Sequence, residues 1–285
     1  MTTEPQFCSW EQAVRWLRDQ PDKHDLVLAS YYDDPLIGAA MRYERSDEWL
    51  AILAQLMPNK GGKVLDVGAG RGIASYAFAR AGYEVTALEP DDSDLVGSGA
   101  IRMLARDESL PIQVVQAASE SIPIADGTFD VVFGRAVLHH ARDLAAACRE
   151  FYRVLKPGGR LVAVREHVIS RPQDLPAFFD LHPLHNLYGG ENALLLRQYA
   201  ACLRTAGFVI RKVIGPLTSP INHAPHTRAT LQAEAAARLS PKSRLAAAAL
   251  AGLFRLPGVW PLAAGIAQIF DDRPGRLYSF VADRT

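Results

Sequence analysis

Two acids and two pairs of histidines are the residues in this sequence whose types and positions could do chemistry. One acid, Asp66, stands just before three closely spaced glycines, and the other, Glu89, ends the next apolar run of the chain. The histidines are the adjacent pair 139–140, followed later by His182 and His185. Carboxylates and imidazoles bind cations and move protons near neutral pH, so these positions predict a binding or catalytic site.

A strand and a helix position the glycine-rich run. Residues 64–67 are apolar except for Asp66 and indicate a short buried strand, and an apolar helical pattern begins at Ile73. The intervening run consists of Gly68, Ala69, Gly70, Arg71 and Gly72. Glycines allow positive φ and lack a Cβ, so a ligand can approach the backbone closely. This layout is typical of nucleotide-like ligand sites in α/β sheets, with an ordinary tight turn as the alternative.

The spacing of the glycines disfavours a dinucleotide. A G-x-G-x-x-G fingerprint counted from Gly68 ends at Ile73, and one counted from Gly70 ends at Ser75. A phosphate loop ending in Gly-Lys-Ser/Thr is also missing from the sequence. The acid that precedes the loop, Asp66, would repel a pyrophosphate but would suit the ammonium group of an amino acid.

Composition excludes several classes of function. The chain has 285 residues with 31 basic and 31 acidic side chains, and this even balance argues against a dedicated nucleic-acid binder. Cys8, Cys148 and Cys202 are far apart, which favours a reducing, cytoplasmic setting over a disulfide framework. We expect no signal peptide and no single transmembrane stretch, because no basic start with an apolar run and no long uncharged apolar segment occurs.

Strands and helices alternate along most of the chain. The predicted strands are 64–67, 84–89, 112–116, 129–134, 160–167, 208–214 and 276–282. Helical patterns lie between the first five, so we expect an α/β, Rossmann-like fold with a seven-stranded, mainly parallel sheet and helices on both faces. The predicted organisation is an N-terminal helical cap (1–58), a core (59–215), a helical insertion between the last two strands (216–275) and a final strand (276–285).

The predicted N-terminal cap consists of three helices. The first begins at Ser9 with a capping-box pattern to Gln12 and ends before Pro21, and the third begins near Ser46 and ends before Pro58. These helices precede the first strand, so they either cover the ligand or pack on the sheet edge.

Several ordered motifs resemble those of class I S-adenosylmethionine-dependent methyltransferases, in the branch with a generic small-molecule methyltransferase domain. The segments that carry the resemblance are Asp66-x-Gly68-x-Gly70-x-Gly72, Ala87-Leu88-Glu89-Pro90, 127–132, 137–140 and 153–159. The resemblance covers about residues 46–215. It implies S-adenosylmethionine as cofactor, S-adenosylhomocysteine as product, and a seventh strand that runs antiparallel beside the fifth. It also implies that Asp66 and the loop backbone face the methionine end and that Glu89 holds the ribose.

Three further residues complete the predicted cofactor site. Ser119 and Glu120 follow the third predicted strand, at the height of an adenine edge, although Glu120 also fits a plain surface acid. Arg135 ends the fourth strand and could bind the cofactor carboxylate, an acceptor anion or a structural ion-pair partner.

Methyl transfer from a sulfonium is an in-line displacement, and a base is needed only where the acceptor must lose a proton. The candidates are His139 and His140 after the fourth strand, and Glu166 and His167 at the end of the fifth. Both pairs lie at the carboxyl ends of parallel strands, where such sheets bind their ligands. The alternative is that these side chains cap helices or pack.

A polar loop after the fifth strand is the predicted acceptor site. Its candidate residues, together with one tyrosine of the cap, are Tyr32, His182, His185, Tyr188, Glu191 and Asn192. Two histidines without a third ligand at a metal-site spacing do not indicate a metal, so none is predicted. The alternative is a long connection whose side chains satisfy backbone groups.

The insertion contains apolar helices flanked by Lys242, Arg244 and Arg255. It is interpreted as a lid over the acceptor, a membrane-surface hairpin spanning 241–270, or a homodimer face. The sequence therefore predicts a methyltransferase (EC 2.1.1.-) that acts on a small-molecule or glycan-like acceptor, with O-methylation favoured. The alternatives are a C-methyltransferase on a quinone or polyketide-like lipid and a non-catalytic binding protein on the same fold.

Overall fold

The computed structural model describes residues 8–56, 61–182 and 184–285. A single mixed sheet runs through the centre in the order β3-β2-β1-β4-β5-β8-β7, with β6 paired to β5. The strands are β1 (Lys63–Val67), β2 (Glu84–Leu88), β3 (Ile112–Val115), β4 (Phe129–Arg135), β5 (Leu155–Ile169), β6 (Leu194–Leu195), β7 (Phe208–Ile214) and β8 (Arg276–Arg284).

Fourteen α-helices surround the sheet in the described part of the chain. They are α1 (Trp10–Arg18), α2 (His24–Ala29), α3 (Leu36–Glu44), α4 (Asp47–Leu53), α5 (Ile73–Arg80), α6 (Ser98–Asp107), α7 (Leu144–Val154), α8 (Leu175–Leu181), α9 (His185–Tyr188), α10 (Leu196–Thr205), α11 (Pro220–His223), α12 (Arg228–Leu239), α13 (Arg244–Phe254) and α14 (Val259–Ile269). This architecture confirms the predicted Rossmann-like class.

The strand pairing brings the chemically interesting segments to one edge of the sheet. β1 pairs in parallel with β2 and β4, and β4 pairs in parallel with β5. The carboxyl ends of these strands, which carry Asp66, Glu89, Arg135 and Glu166, therefore lie side by side. β8 runs antiparallel between β5 and β7, as the resemblance implied. The sheet has eight strands rather than seven, because two residues, Leu194 and Leu195, add a strand too short to show a period.

The N-terminal helices pack on the same side of the molecule as the glycine-rich run. α1 begins at Ser9, whose side chain forms the predicted capping box with Gln12. Trp49 and Tyr43 of the cap are buried in one hydrophobic cluster with residues of α5, β1 and β4. Apolar burial of this extent makes the cap an integral part of the fold.

The insertion forms a small helical unit of its own. Phe254, Trp260 and Ala264 pack against Ala236 of α12 in a separate hydrophobic cluster. Among the described residues, no single helix is long and apolar enough to cross a membrane. The pair α13 and α14 reaches that threshold only when taken together, and it is bent by 107° at its break.

Candidate active site

The glycine-rich run forms a tight loop between β1 and α5. Gly68, Gly70 and Gly72 have φ values of 59°, 53° and 82°, which is the left-handed region that favours glycine. A Cβ on Gly68 would lie 2.7 Å from a methyl group of Val137, so this position has no room for a side chain. The loop therefore presents bare backbone above the strand ends, as the sequence predicted.

Asp66 and Glu89 flank this loop as two buried acids. The Ser75 hydroxyl donates a 2.6 Å hydrogen bond to Asp66, and burial nevertheless raises the pKa of Asp66 to about 7. The Glu89 carboxylate accepts hydrogen bonds from the amides of Gly70 (2.7 Å) and Asp91 (3.0 Å), and burial raises its pKa as well. Each Glu89 oxygen keeps a second lone pair, so the carboxylate can still accept hydrogen bonds from a diol.

A cavity of about 90 Å³ lies between the loop and the cap. Trp10, Tyr31 and Tyr32 line it on the cap side, and Asp66 and Gly68 line it on the loop side. The cap therefore covers the end of the site that holds Asp66, which is the first of the two placements considered for it. A carboxylate beneath aromatic rings suits a ligand that carries an ammonium group and a second positive centre, because the carboxylate and the ring faces both attract positive charge.

Arg71 fastens the cap to the loop, a role that sequence reasoning missed. Its side chain is buried and donates hydrogen bonds to the carbonyl oxygens of Tyr31 (3.1 Å) and Asp33 (2.9 Å). It also forms an ion pair with Asp34. A cation inside a glycine-rich loop was the available signal, since it needs partners that the loop itself does not contain.

Arg135 forms a buried ion pair at the edge of the cavity. Its guanidinium binds the Glu48 carboxylate of α4 through Nε at 2.7 Å, and Arg165 lies 3.7 Å from the same carboxylate. Burial alone would lower the pKa of Arg135, but the charge of Glu48 outweighs it and raises that pKa. Arg135 also lines the cavity, so the structural and ligand-facing interpretations are compatible at this position.

His139 and Glu166 form the centre of a second buried cluster. The two side chains are in contact at 2.7 Å between Nδ1 and Oε2, and the Glu166 carboxylate also accepts the amides of Val137 and His139. Burial alone would lower the pKa of His139, but the hydrogen bond to Glu166 and the nearby carboxylate of Glu191 raise it to about 9. At neutral pH His139 is therefore an imidazolium, and it is not free to accept another proton.

Glu191 of the polar loop joins this cluster from the other side. Its Oε2 lies 3.6 Å from Nε2 of His139, and its Oε1 accepts a 2.6 Å hydrogen bond from the Tyr188 hydroxyl. His182 approaches the same carboxylate at 3.6 Å. Burial would raise the pKa of Glu191, but the contact with the charged ring of His139 lowers it. Its Oε2 is buried and has no hydrogen-bond partner within the described structure.

Two of the other three imidazoles around this cluster, those of His140 and His167, are neutral. Burial and the charge on His139 lower the pKa of His140, and they lower that of His167 to about 3. Nδ1 of His140 lies 3.0 Å from the Gly190 carbonyl, and Nδ1 of His167 lies 2.9 Å from the Gly275 carbonyl. A neutral imidazole must donate to a carbonyl, so the Nε2 atom of each ring carries a free lone pair.

The donor atoms in this cluster are also close enough for a metal ion. One ligand atom each from His139, His167 and Glu191 lies within 4.8 Å of the others. A metal ion there would have to displace the proton that His139 carries between the carboxylates of Glu166 and Glu191. The absence of a metal therefore stays a prediction, and the contacts described above are those of a hydrogen-bonded cluster.

The remaining predicted residues have mixed surroundings. The Glu120 carboxylate accepts the amides of Arg142 and Asp143, and the Ser119 hydroxyl donates to it, so this pair holds the start of α7. His185 stacks on Phe179 at 3.8 Å, and the side chain of Asn192 accepts its neighbour's amide. Pro90 is exposed. None of these contacts by itself points to a ligand.

Comparison with known proteins agrees with this geometry. Residues 65–163 match a family described as a methyltransferase domain. The chain is 35% identical over 131 residues to a ubiquinone/menaquinone biosynthesis C-methyltransferase of Haemophilus ducreyi, which corresponds to 45% of this chain and 48% of that protein. It is also 35% identical over 140 residues to a malonyl-[acyl-carrier protein] O-methyltransferase of Enterobacter lignolyticus, which is 47% of this chain and 53% of that protein. The chain thus spans about half the length of the curated relatives that it matches.

Solved structures show the same fold over a larger part of the chain. A geranyl diphosphate C-methyltransferase from Streptomyces coelicolor, in complex with Mg²⁺, geranyl diphosphate and S-adenosyl-L-homocysteine, superimposes with a TM-score of 0.58. That similarity covers 98% of this chain and 100% of the other at 16% identity, so it concerns the fold alone.

Proposed function

We propose that this protein methylates a hydroxyl group of a small-molecule acceptor. The basis is that residues 65–163 form a class I S-adenosylmethionine-dependent methyltransferase domain. The observation that carries the proposal is the cluster of His139, His140, Glu166 and Glu191, which Val137 connects to Gly68 of the glycine-rich loop. It adds proton-accepting groups to a cofactor site, at the strand ends where α/β sheets bind ligands. The cofactor supplies the methyl group as an activated sulfonium.

The side chains around the loop fit that cofactor. Asp66 is a buried carboxylate that faces the cavity, and it suits the ammonium of the methionine end. Glu89 keeps free lone pairs for the ribose hydroxyls while its carboxylate accepts the amides of Gly70 and Asp91. We assign Arg135 to the wall of the site, where its Glu48 ion pair holds it.

The acceptor in this proposal is a hydrogen-bond donor. Oε2 of Glu191 lacks a partner, and it lies 3.9 Å from Nε2 of His140, which carries a free lone pair. Nδ1 of His182 is also buried without a partner. A ligand group placed among these atoms must donate hydrogen bonds, because a buried acceptor without a hydrogen bond costs about 1–3 kcal/mol. A hydroxyl meets that requirement, and a glycan or another polyol offers several.

His140 is the base that this arrangement favours. Its Nε2 would take the hydroxyl proton as the acceptor oxygen bonds to the methyl carbon that the cofactor would supply, with the sulfur of the cofactor leaving with its electron pair. The Gly190 carbonyl orients the ring by accepting a hydrogen bond from the Nδ1–H group. His139 and Glu166 act as positioning residues, since the imidazolium holds Glu191 in place and cannot itself take a proton at neutral pH.

The test has a binding step and a turnover step. Calorimetric titration with S-adenosylhomocysteine should show binding by the wild type and clearly weaker binding by Glu89→Ala. Incubation with a methyl-labelled donor and a fractionated native extract, followed by mass spectrometry, should then identify a labelled O-methyl product. His140→Ala should lower the rate about 100-fold or more with unchanged cofactor affinity, whereas the exposed His24→Ala should change neither. An equal rate in His140→Ala would remove the proposed base.

A C-methyltransferase acting on a quinone or polyketide-like lipid is the second candidate. The relative from Haemophilus ducreyi is named a C-methyltransferase, and an acidic carbon also needs a base. A label found on carbon in the turnover experiment would select this candidate. Cofactor binding without a labelled product would instead favour a non-catalytic binding protein.

A further inference from the structure

The hairpin of α13 and α14 exposes an unusual number of large apolar side chains. Those with more than about half of their surface exposed are Leu245 (86%), Leu256 (52%), Leu262 (67%), Ile266 (51%), Ile269 (78%) and Phe270 (79%). The inner side chains of the same helices, Phe254 and Trp260, are buried against α12. The outer apolar face is therefore not required for the hairpin to fold, and contiguous patches of this kind mark interaction sites.

The charge of the hairpin and of the preceding end of α12 indicates the chemistry of the partner. Residues 235–270, between Glu234 and Asp271, contain no aspartate or glutamate but four basic residues, in a chain that is neutral overall. The four are Arg238, Lys242, Arg244 and Arg255. A second copy of the chain would bring two such basic surfaces together, which is unfavourable. An anionic lipid surface complements both the positive charge and the apolar side chains.

The dimensions of the hairpin fit a position at the surface of a bilayer. Each helix has 11 residues and is therefore about 16 Å long, roughly half of the 30 Å thickness of a hydrocarbon core. The two helices are bent by 107° relative to each other, so they do not form one continuous span. Helices of this kind lie in the interface, with apolar side chains at the boundary between headgroups and acyl chains.

The segment that begins the helical insertion, before α12 and the hairpin, is tied to the strand ends. Arg165, at the acceptor end of β5, donates hydrogen bonds to the carbonyl oxygens of Ile221 and Ala224, which precede α12. Asn222 bonds to the end of β7 and to Ser279 of β8. Docking through the hairpin would thus hold the candidate active site near the lipid surface.

We propose that α13 and α14 form an interfacial hairpin that docks this protein on anionic membranes. The proposal goes beyond the methyl-transfer reaction and holds whichever acceptor is used. It makes the lipid surface, rather than a second copy of the chain, the partner of the exposed apolar face.

The experiment is flotation of the full chain with lipid vesicles. Wild type should float with vesicles that contain about one-third phosphatidylglycerol, should bind far less to pure phosphatidylcholine, and should be released at about 0.5 M salt. Ile269→Ser combined with Phe270→Ser should lower the partition coefficient at least tenfold. Leu50→Ser, a control at an exposed apolar position of α4, should bind like wild type.

A charge series completes the test. Replacing Lys242, Arg244 and Arg255 by Gln should weaken binding about fivefold for each charge removed. Calorimetry with S-adenosylhomocysteine and circular dichroism, expected to match the wild type, show that each variant is folded. Absence of flotation at low salt, or equal flotation of the Ile269/Phe270 variant, would overturn the proposal. Concentration-dependent dimerisation that the same variant abolishes would overturn it in favour of a homodimer.

Discussion

Replacing Glu166 by Gln should change how the stability of this protein depends on pH. Glu166 contacts His139 at 2.7 Å, and both side chains are buried. The pKa of His139 rises from 6.5 to about 9, which corresponds to about 3 kcal/mol at 1.4 kcal/mol per pKa unit. The sign follows from proton linkage: the folded state binds the proton more tightly, so the stabilisation is full below pH 6.5 and is lost as pH rises towards 9.

The Glu166→Gln side chain keeps its shape but loses the charge that holds the imidazolium. The pKa of His139 should then fall towards 6.5, because burial lowers it and Glu191 is the only carboxylate of the pair that still raises it. The free energy of unfolding should lose most of its decline across the pH 6.5–9 window. The difference between wild type and variant should shrink by at most about 3 kcal/mol from the acid to the alkaline side of that window.

Urea unfolding followed by circular dichroism at several pH values measures this difference. Glu234→Gln is the matched control, since Glu234 faces His226 at 3.6 Å in an exposed pair that should add little stability. Parallel pH profiles for wild type and Glu166→Gln would refute the charge assignment of His139. A changed profile in the Glu234→Gln control would show that the effect is not specific to the buried cluster.

Three further predictions concern the cofactor site, the metal and the cap. The affinity for S-adenosylhomocysteine, measured by calorimetry, should fall about tenfold from pH 8 to pH 6. The reason is that the pKa of Asp66 is about 7 and its carboxylate must be ionised to bind an ammonium group. The Asp66→Asn variant should bind weakly and without this pH dependence. Treatment with a chelator should leave the rate of methyl transfer unchanged, because a protonated His139 occupies the centre of the cluster. A loss of activity that added metal restores would contradict this prediction. In Arg71→Ala, limited proteolysis should cut residues 19–35 before it cuts the sheet, because the Arg71 side chain binds the cap through the carbonyls of Tyr31 and Asp33. Cleavage as slow as in wild type would show that Arg71 does not hold the cap in place.

The parts of the structure that local sequence patterns control were predictable. The strand and glycine pattern around Gly68 predicted the loop, since only residues that tolerate positive φ fit there. Alternating apolar runs predicted the sheet. The positions of two residue pairs after strands, His139–His140 and Glu166–His167, predicted that the fold would bring their side chains together. Their clustering follows from the rule that parallel strands end at one edge.

Long-range pairing was not visible in the sequence. Glu48 and Arg135 are 87 positions apart, and no periodic pattern relates an acid in an N-terminal helix to an arginine at a strand end. The protonation of His139 likewise depends on Glu191, which a separate loop delivers. Burial and charge at such positions are properties of the assembled fold, so residue spacing alone cannot supply them.

The antiparallel position of β8 has a consequence for the order of folding. β8 separates β5 from β7, so β7 has no place in the sheet until residues 276–284 have been synthesised. Until then β5 exposes an unpaired edge, and Glu166 and His167 lack Tyr278 and Leu277 as their cross-strand neighbours. The Gly275 carbonyl that fixes the ring of His167 arrives with the same segment. Nascent chains that end before β8 should therefore expose an unpaired strand edge and lack part of the cluster around His139, and an exposed edge of this kind favours aggregation.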